Sequence, residues 1–139
     1  MPTRQESIDF ILDHYEHPRH RGALADASLV VRGGNPGCGD VLTFYLRLDA
    51  GGRVAAVSFE GEGCTISQAA ASVMTEKVLG LSLAELTALP QDPLIEELGR
   101  DVVSTRIRCA TLAVNILKTA EQQQRTAAAR GAAPAPEVS

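Results

Sequence analysis

The chain has 139 residues, 45% of them hydrophobic and 22% charged, which is enough for one domain with a hydrophobic core and is typical of a soluble protein. A formal net charge of −4 argues against the basic face of a nucleic-acid-binding protein. No apolar run reaches the roughly 18 residues of a membrane-spanning helix, and the N-terminus lacks the apolar core of a signal peptide. These features predict a cytoplasmic protein that binds neither nucleic acid nor membrane.

The first half of the chain predicts a helix followed by a sheet. Apolar residues recur with helical spacing from Glu6 to Glu16, and Pro18 stops that helix because proline disfavours helical geometry in the residue before it. Three apolar or alternating runs then predict strands at residues 27–31, 42–48 and 55–60. The short connections between the strands favour an antiparallel sheet, because parallel strands need long crossovers.

The second half predicts four helices. The first begins at Cys64 and ends at Gly80, and a capping box at Ser82–Glu85 begins the second. A third begins at Asp92, and a long final helix begins near Ser104. The predicted fold is therefore α+β, in the order α-β-β-β-α-α-α-α, with a domain at residues 1–121 and a disordered Gln-, Ala- and Pro-rich tail at residues 122–139.

The chain contains three cysteines, Cys38, Cys64 and Cys109. An odd number of cysteines in a cytoplasmic protein favours metal binding or thiol chemistry over a disulfide framework. Their spacing matches no compact zinc motif, so spacing alone leaves open that they are three unrelated buried cysteines.

The local context of the cysteines favours a shared site. Cys38 lies in a glycine-flanked turn two residues before Asp40, Cys64 begins a helix, and Cys109 lies in the first turn of another helix beside Arg106. Helix N-termini and nearby cations favour the thiolate form. Three thiolates and one carboxylate would suit zinc, copper(I) or an iron–sulfur cluster, and the carboxylate would leave one ligand exchangeable.

The motifs around these cysteines resemble those of a known family. Asn35–Asp40, Phe59–Cys64 and Arg106–Leu112 are similar to the three cysteine motifs of the U-type iron–sulfur cluster assembly scaffolds, the family of IscU, SufU and the N-terminal domain of NifU. Ile11–Arg19 and Ser72–Glu76 also resemble segments of this family. The resemblance extends from about Ile8 to Ala120.

The resemblance implies a function and a set of site residues. In this family Cys38, Asp40, Cys64 and Cys109 would hold Zn²⁺ or a [2Fe-2S] cluster. Sulfur would come from the persulfide of a cysteine desulfurase, and the cluster would pass to apo iron–sulfur proteins or downstream carriers. Cys38 is the expected sulfur acceptor, Cys109 is the alternative, and Arg106 matches a basic position near the site.

Two branches of the family remain open. Arg108 occupies the position before the third cysteine where IscU proteins have histidine, and SufU proteins have a basic residue there. The interval between the second and third cysteines is nevertheless as short as in IscU, without the insertion usual in SufU. Whether the chain is a cluster scaffold or a zinc-dependent sulfurtransferase of the SufU kind is therefore undecided.

Two other classes of function need comparison. A zinc-stabilised structural or interaction module would use the same ligands without sulfur transfer. A thiol oxidoreductase is disfavoured by the lack of a Cys-x-x-Cys motif. The three histidines, His14, His17 and His20, flank a proline far from the thiols in sequence, and we expect them to cap, stack or face solvent rather than bind metal.

Overall fold

The computed structural model describes residues 3–35 and 39–129 and confirms the predicted α+β architecture, with a three-stranded antiparallel sheet and helices. Within these ranges, no helix is long and apolar enough to cross a membrane. The elements in chain order are α1 (Arg4–Glu16), β1 (Leu29–Asn35), β2 (Asp40–Leu48), β3 (Val54–Glu62), α2 (Thr65–Val78), α3 (Leu83–Thr87), α4 (Asp92–Leu98), α5 (Arg100–Val103), α6 (Ile107–Leu117) and α7 (Ala120–Ala129).

The sheet has the order β1-β2-β3. Phe44 at the centre of β2 pairs with Val31 of β1 and Phe59 of β3. Leu42, Phe44 and Leu46 are fully buried on one face of β2, whereas the residues between them are only half-buried. The alternation in the sequence therefore identified the face that packs against the helices.

Strand β1 is longer than the predicted strand at residues 27–31. Gly33 and Gly34 continue the ladder to Asn35, which pairs with Asp40. A Cβ atom on Gly34 would lie 2.7 Å from the backbone oxygen of Asp40. The absence of a side chain on Gly34 therefore allows β1 and β2 to approach closely where β2 begins.

Helices α2 and α6 contact each other and cover the buried face of the sheet. Ala69, Ala70 and Ala71 of α2 are fully buried, so small side chains let this helix pack closely. Cys64 immediately precedes α2, and Cys109 lies in the first turn of α6. Because both helices pack on the same sheet, their N-terminal ends, and with them Cys64 and Cys109, lie close to each other.

The C-terminal part of the described chain differs from the prediction. The expected final helix is divided into α6 and α7, and the four-residue α5 was not predicted. The tail was expected to begin at residue 122, but the chain remains helical to Ala129, and residues 130–139 lie outside the described residues. Alanine is the strongest helix former and α7 packs on α3 and β1, so the composition there supports a helix as well as a tail.

A buried polar seam joins α1 to α2. Nδ1 of His14 lies 2.7 Å from Oγ of Ser72, which also accepts a hydrogen bond from the backbone N–H of Arg19 at 2.8 Å. Nδ1 of His20 lies 3.0 Å from Oγ1 of Thr75. His14 therefore holds α1 against α2, and His20, which follows α1 in the chain, contacts the same helix.

His14 generates a prediction about pH and stability. Burial lowers the pKa of His14, and Arg19 lowers it further, against the opposing effect of Glu76. Because the unfolded chain then binds the proton more readily than the folded one, the free energy of unfolding should fall as pH drops through the ordinary histidine value of about 6.5. Denaturant unfolding at about pH 7.5 and about pH 5.5 should show a weaker pH effect for His14→Gln than for the wild type. The exposed His17 supplies the control His17→Gln, and an unchanged pH effect in His14→Gln would contradict the prediction.

Candidate metal centre

Asp40 is the residue on which the candidate site converges. It opens β2 and is only 1% exposed. Its Oδ1 accepts a hydrogen bond from the backbone N–H of Cys64 at 2.9 Å. Its Oδ2 accepts one from the thiol of Cys109, whose Sγ is 3.0 Å away, and lies 3.8 Å from Sγ of Cys64. One buried carboxylate thus contacts both of the described cysteines.

Cys64 is the N-cap residue of α2, as the sequence predicts. Its backbone is extended, and its Sγ accepts a hydrogen bond from the backbone N–H of Ser67 at 3.4 Å. Serine, threonine, aspartate and asparagine usually take this position because their oxygens accept the same bond. The cap bond orients the sulfur at the start of the helix, beside Asp40.

Cys109 lies in the first turn of α6 and is 2% exposed. Together with Asp40 and Cys64 it offers three ligand atoms that all lie within 4.8 Å of one another. These residues come from β2, the start of α2 and the start of α6, which are far apart in sequence. The prediction that the fold gathers them is confirmed for these three residues.

The protonation of Cys109 differs from our expectation that the helix start would favour its thiolate. Burial raises the pKa of the Cys109 thiol to about 12, and its hydrogen bonds with Asp40 and Cys64 act in the same direction. Removal of water and a neighbouring carboxylate both disfavour a second negative charge, and they outweigh the helix dipole. When only the protein's own groups act on Cys109, the expectation of a thiolate there was therefore wrong. A cation bound by these atoms would reverse the local charge balance and displace the proton.

The distances within the group suit a tetrahedral metal ion. Ligand atoms on tetrahedral zinc lie about 3.8 Å apart for two thiolates and about 3.6 Å apart for a thiolate and an oxygen. The two sulfur–Oδ2 distances, 3.0 Å and 3.8 Å, bracket that second value. Two thiols and a carboxylate are also a donor set that zinc and iron–sulfur clusters accept. The described residues therefore fit a thiophilic metal, with at least one further ligand needed from elsewhere.

The backbone of Gly63 lies directly against the carboxylate of Asp40. Its φ is +126°, and a Cβ atom there would lie 2.1 Å from Oδ1 of Asp40. Only glycine allows this backbone to press against the carboxylate while the next residue donates its N–H to the same oxygen. Sequence reasoning treated Gly63 as the end of a strand and missed this contact, although a glycine directly before a helix-starting cysteine was the available indication.

The two other predicted site residues, Cys38 and Arg106, are not part of this buried group as the structure describes it. Cys38, the expected sulfur acceptor and ligand, lies outside the described residues. Arg106 is the exposed N-cap residue of α6, three residues before Cys109, and its backbone oxygen accepts a hydrogen bond from Ala110.

Comparison with protein families identifies the architecture. The family model described as "NifU-like N terminal domain" matches residues 6–129. The chain is 36% identical to an iron–sulfur cluster assembly scaffold protein IscU of Streptococcus pyogenes over 127 aligned residues, covering 79% of this chain and 79% of the relative. It is also 36% identical to the zinc-dependent sulfurtransferase SufU of Bacillus subtilis over 127 residues, covering 78% of this chain and 84% of the relative.

The alignments also bear on chain length. Because 79% and 78% of this chain are both fewer than 127 residues, the alignments with the S. pyogenes IscU and with the B. subtilis SufU both include positions that this chain lacks. An IscU of Archaeoglobus fulgidus aligns over 112 residues at 32% identity, covering 81% of this chain and 72% of the relative. In this alignment the aligned length equals the number of residues of this chain that it covers. The chain is thus as short within the aligned region as that IscU.

Solved structures share the fold. A Fervidobacterium islandicum protein described as an iron–sulfur cluster assembly scaffold for the SUF system superposes with a TM-score of 0.68 at 29% identity, covering 81% of this chain and 93% of its own. The N-terminal part of a NifU-like protein from Brucella abortus gives a TM-score of 0.68 at 23% identity, covering 86% and 98%. The second match supports the fold alone.

The contact between Gly63 and Asp40 is testable with a matched pair of variants. Gly63→Ala should lower zinc affinity by at least about tenfold, because the added Cβ displaces the carboxylate that faces both thiols. Gly22 has a φ of +125° but nothing within 4 Å of its would-be Cβ, so Gly22→Ala carries the same backbone strain without the collision. Competition with a chromophoric zinc chelator measures both affinities. Equal affinity in the two variants would contradict the role given to Gly63.

Proposed function

Because this chain belongs to the NifU-like N-terminal domain family, we propose that it is an iron–sulfur cluster assembly scaffold that accepts sulfur from a cysteine desulfurase. The observation that carries the proposal is the buried group of Asp40, Cys64 and Cys109, with its ligand atoms within 4.8 Å of one another. Nascent clusters are its cargo, and apo iron–sulfur proteins or downstream carriers are its recipients. Its thiols must stay reduced, and for that reason we assign it to the cytoplasm.

Cys38 completes the proposed ligand set. It is two residues from Asp40 in sequence, so their Cα atoms are at most about 7.6 Å apart. That reach is sufficient for its sulfur to join the oxygen of Asp40 and the sulfurs of Cys64 and Cys109 around one centre. Zn²⁺ bound there would keep the thiols deprotonated and gathered. The same four residues would hold a [2Fe-2S] cluster.

Sulfur transfer requires an acceptor that the donor can reach. Cys109 is 2% exposed, and unless a metal ion is bound its thiol resists deprotonation, which makes it a poor first nucleophile. Cys64 is half-buried, and its sulfur is tied to the start of α2. We therefore favour Cys38 as the acceptor and treat Cys109 as a ligand.

The transfer step is a thiol–persulfide exchange. The Cys38 thiolate attacks the outer sulfur of the desulfurase persulfide, a new S–S bond forms on Cys38, and the desulfurase cysteine leaves as its thiolate. Atoms and electrons balance without an oxidant. Release of that sulfur as sulfide then requires a two-electron reductant such as a dithiol.

Asp40 and Arg106 have supporting roles in this proposal. Asp40 supplies one hard oxygen among soft sulfurs, which weakens the hold on a finished cluster and keeps it transferable. Arg106 is exposed at the start of α6 beside the site, where a guanidinium can contact the desulfurase.

A second function has one observation in its favour. Asp40 and Cys109 are almost completely buried, and the three described ligands come from three elements, as in sites that stabilise a fold. A zinc-stabilised interaction module would keep this geometry without moving sulfur.

Anaerobic native mass spectrometry tests these functions directly. The protein is mixed with a cysteine desulfurase, cysteine and ferrous iron. A species with two irons and two sulfides supports a cluster scaffold, and a zinc-bound species that gains sulfur without iron supports a sulfurtransferase of the SufU kind. Cys38→Ser should abolish sulfur gain, whereas Cys109→Ser should reduce metal retention. Zinc that stays bound while neither sulfur nor iron is added would contradict the proposal and favour the interaction module.

The role of Asp40 gives a separate prediction. Asp40→Ala should slow transfer of an assembled cluster to an apo acceptor by about tenfold, because it removes the labile ligand. Asp40→Asn should slow transfer similarly, but it keeps an oxygen that accepts the Cys64 N–H bond and should avoid the ~1–3 kcal/mol cost of leaving that donor unpaired. Circular dichroism of the cluster follows transfer, and denaturant unfolding measures stability. Wild-type transfer rates in both variants would contradict this role.

A further inference from the structure

The segment Gly61–Gly63 connects β3 to the Cys64 cap and is held by side chains outside the thiol group. Nε2 of Gln68 donates a hydrogen bond to the backbone oxygen of Gly63 at 3.1 Å. Oε1 of the same side chain accepts one from Nη1 of Arg21 at 3.2 Å. Nη2 of Arg21 donates to the backbone oxygen of Gly61 at 3.4 Å. Two side chains thus bind both ends of the three-residue segment.

This segment determines where two site groups lie. Gly63 packs against Oδ1 of Asp40, and the backbone N–H of Cys64 donates to that same oxygen. A small shift of the Gly63 peptide group would move the Cys64 N–H and its thiol away from Asp40. Since glycine has no side chain to anchor it, the position of this peptide depends on what holds its carbonyl oxygen.

Gln68 has the geometry of an anchor. It lies one turn into α2, is 9% exposed, and its backbone N–H bonds the carbonyl of Cys64 at 3.2 Å. The NH₂ group of its buried side-chain amide donates to the backbone oxygen of Gly63, and the amide oxygen accepts from Arg21. Arg21 fixes the orientation of the amide, because the guanidinium bonds only an oxygen, and so the NH₂ group faces Gly63.

We propose that Gln68 and Arg21 are positioning residues that set the geometry of Asp40 and Cys64, and through it the metal affinity of the site. The link to affinity rests on the proposed function, whereas the link to geometry does not. The role follows from the contact chain Arg21–Gln68–Gly63–Cys64–Asp40, with each bond given above. Outer groups that hold metal ligands typically change metal affinity by about 10–100-fold when they are removed.

Three substitutions separate the parts of this chain. Gln68→Met keeps the length of the side chain and removes both bonds. Gln68→Glu keeps an acceptor for Arg21 but replaces the donor to Gly63 with an oxygen that repels the carbonyl. Arg21→Met leaves Gln68 in place without its orienting partner, and because Arg21 is exposed the fold should tolerate the change.

Gln91 provides the matched control. Its Nε2 donates to Oδ1 of Asn115 at 2.6 Å, which joins the N-cap of α4 to α6 through a hydrogen bond between two side-chain amides. Gln91→Met therefore reports the cost of losing one glutamine hydrogen bond between elements.

The first measurement needs no metal. In chelator-treated full-length protein, amide hydrogen exchange by NMR reports the Cys64 N–H bond to Asp40. We expect exchange at Cys64 to be about tenfold faster in Gln68→Met and Gln68→Glu and about threefold faster in Arg21→Met, with Gln91→Met unchanged. Wild-type exchange at Cys64 in all three variants would overturn the proposal.

The second measurement uses Co²⁺ and Zn²⁺. Gln68→Met and Gln68→Glu should bind zinc about tenfold more weakly and shift the thiolate-to-cobalt charge-transfer band. Without metal, the loss of thermal stability in Gln68→Met should be about twice that in Gln91→Met, because it loses two hydrogen bonds instead of one. Unaltered zinc affinity and an unaltered cobalt spectrum would overturn the link to metal affinity and leave the proposed function intact. A wild-type protein that binds neither metal would overturn the proposed function, and the exchange measurement would still decide the positioning role.

Discussion

The hydrogen bond from the Cys64 N–H to Asp40 is the interaction on which the rest of the site depends. It joins the first residue of β2 to the cap of α2, and it uses one oxygen of the carboxylate so that the other faces both thiols. The bond is possible only because Gly63 lets the backbone pass against Asp40. A carboxylate that is 1% exposed is thereby oriented by a main-chain N–H group.

Much of this arrangement was predictable because short-range patterns encode it. Alternation along β2 identified the buried face, and the placement of a cysteine directly after a glycine and before a helical run located the cap at Cys64. The Ser82–Glu85 capping box is present as predicted, because its two hydrogen bonds depend only on residues three apart. The convergence of Asp40, Cys64 and Cys109 was expected from the local context of the cysteines and from the family motifs, whereas the spacing of the cysteines alone left it open.

The features that sequence reasoning missed depend on contacts between distant residues. Burial of Cys109 against Asp40 raises the pKa of its thiol, and nothing local to Arg106–Cys109 indicates that burial. The Gln- and Ala-rich composition of α7 is compatible with either a disordered tail or a helix. In the structure this segment is a helix that packs on α3 and β1. Arg21 and Gln68 are ordinary polar residues in sequence, and only the fold brings them to the carbonyls of Gly61 and Gly63.

The assembly of the site from β2, α2 and α6 has a consequence for the lifetime of the protein. A ligand that binds only when these three elements are in place adds about 2.7 kcal/mol to folding at a hundredfold excess over its dissociation constant. When opening is fast relative to cleavage, proteolysis follows the population of the opened chain. Molecules with metal bound would then be degraded about a hundredfold more slowly than molecules without it, so proteolysis would lower the amount of this protein when metal is scarce.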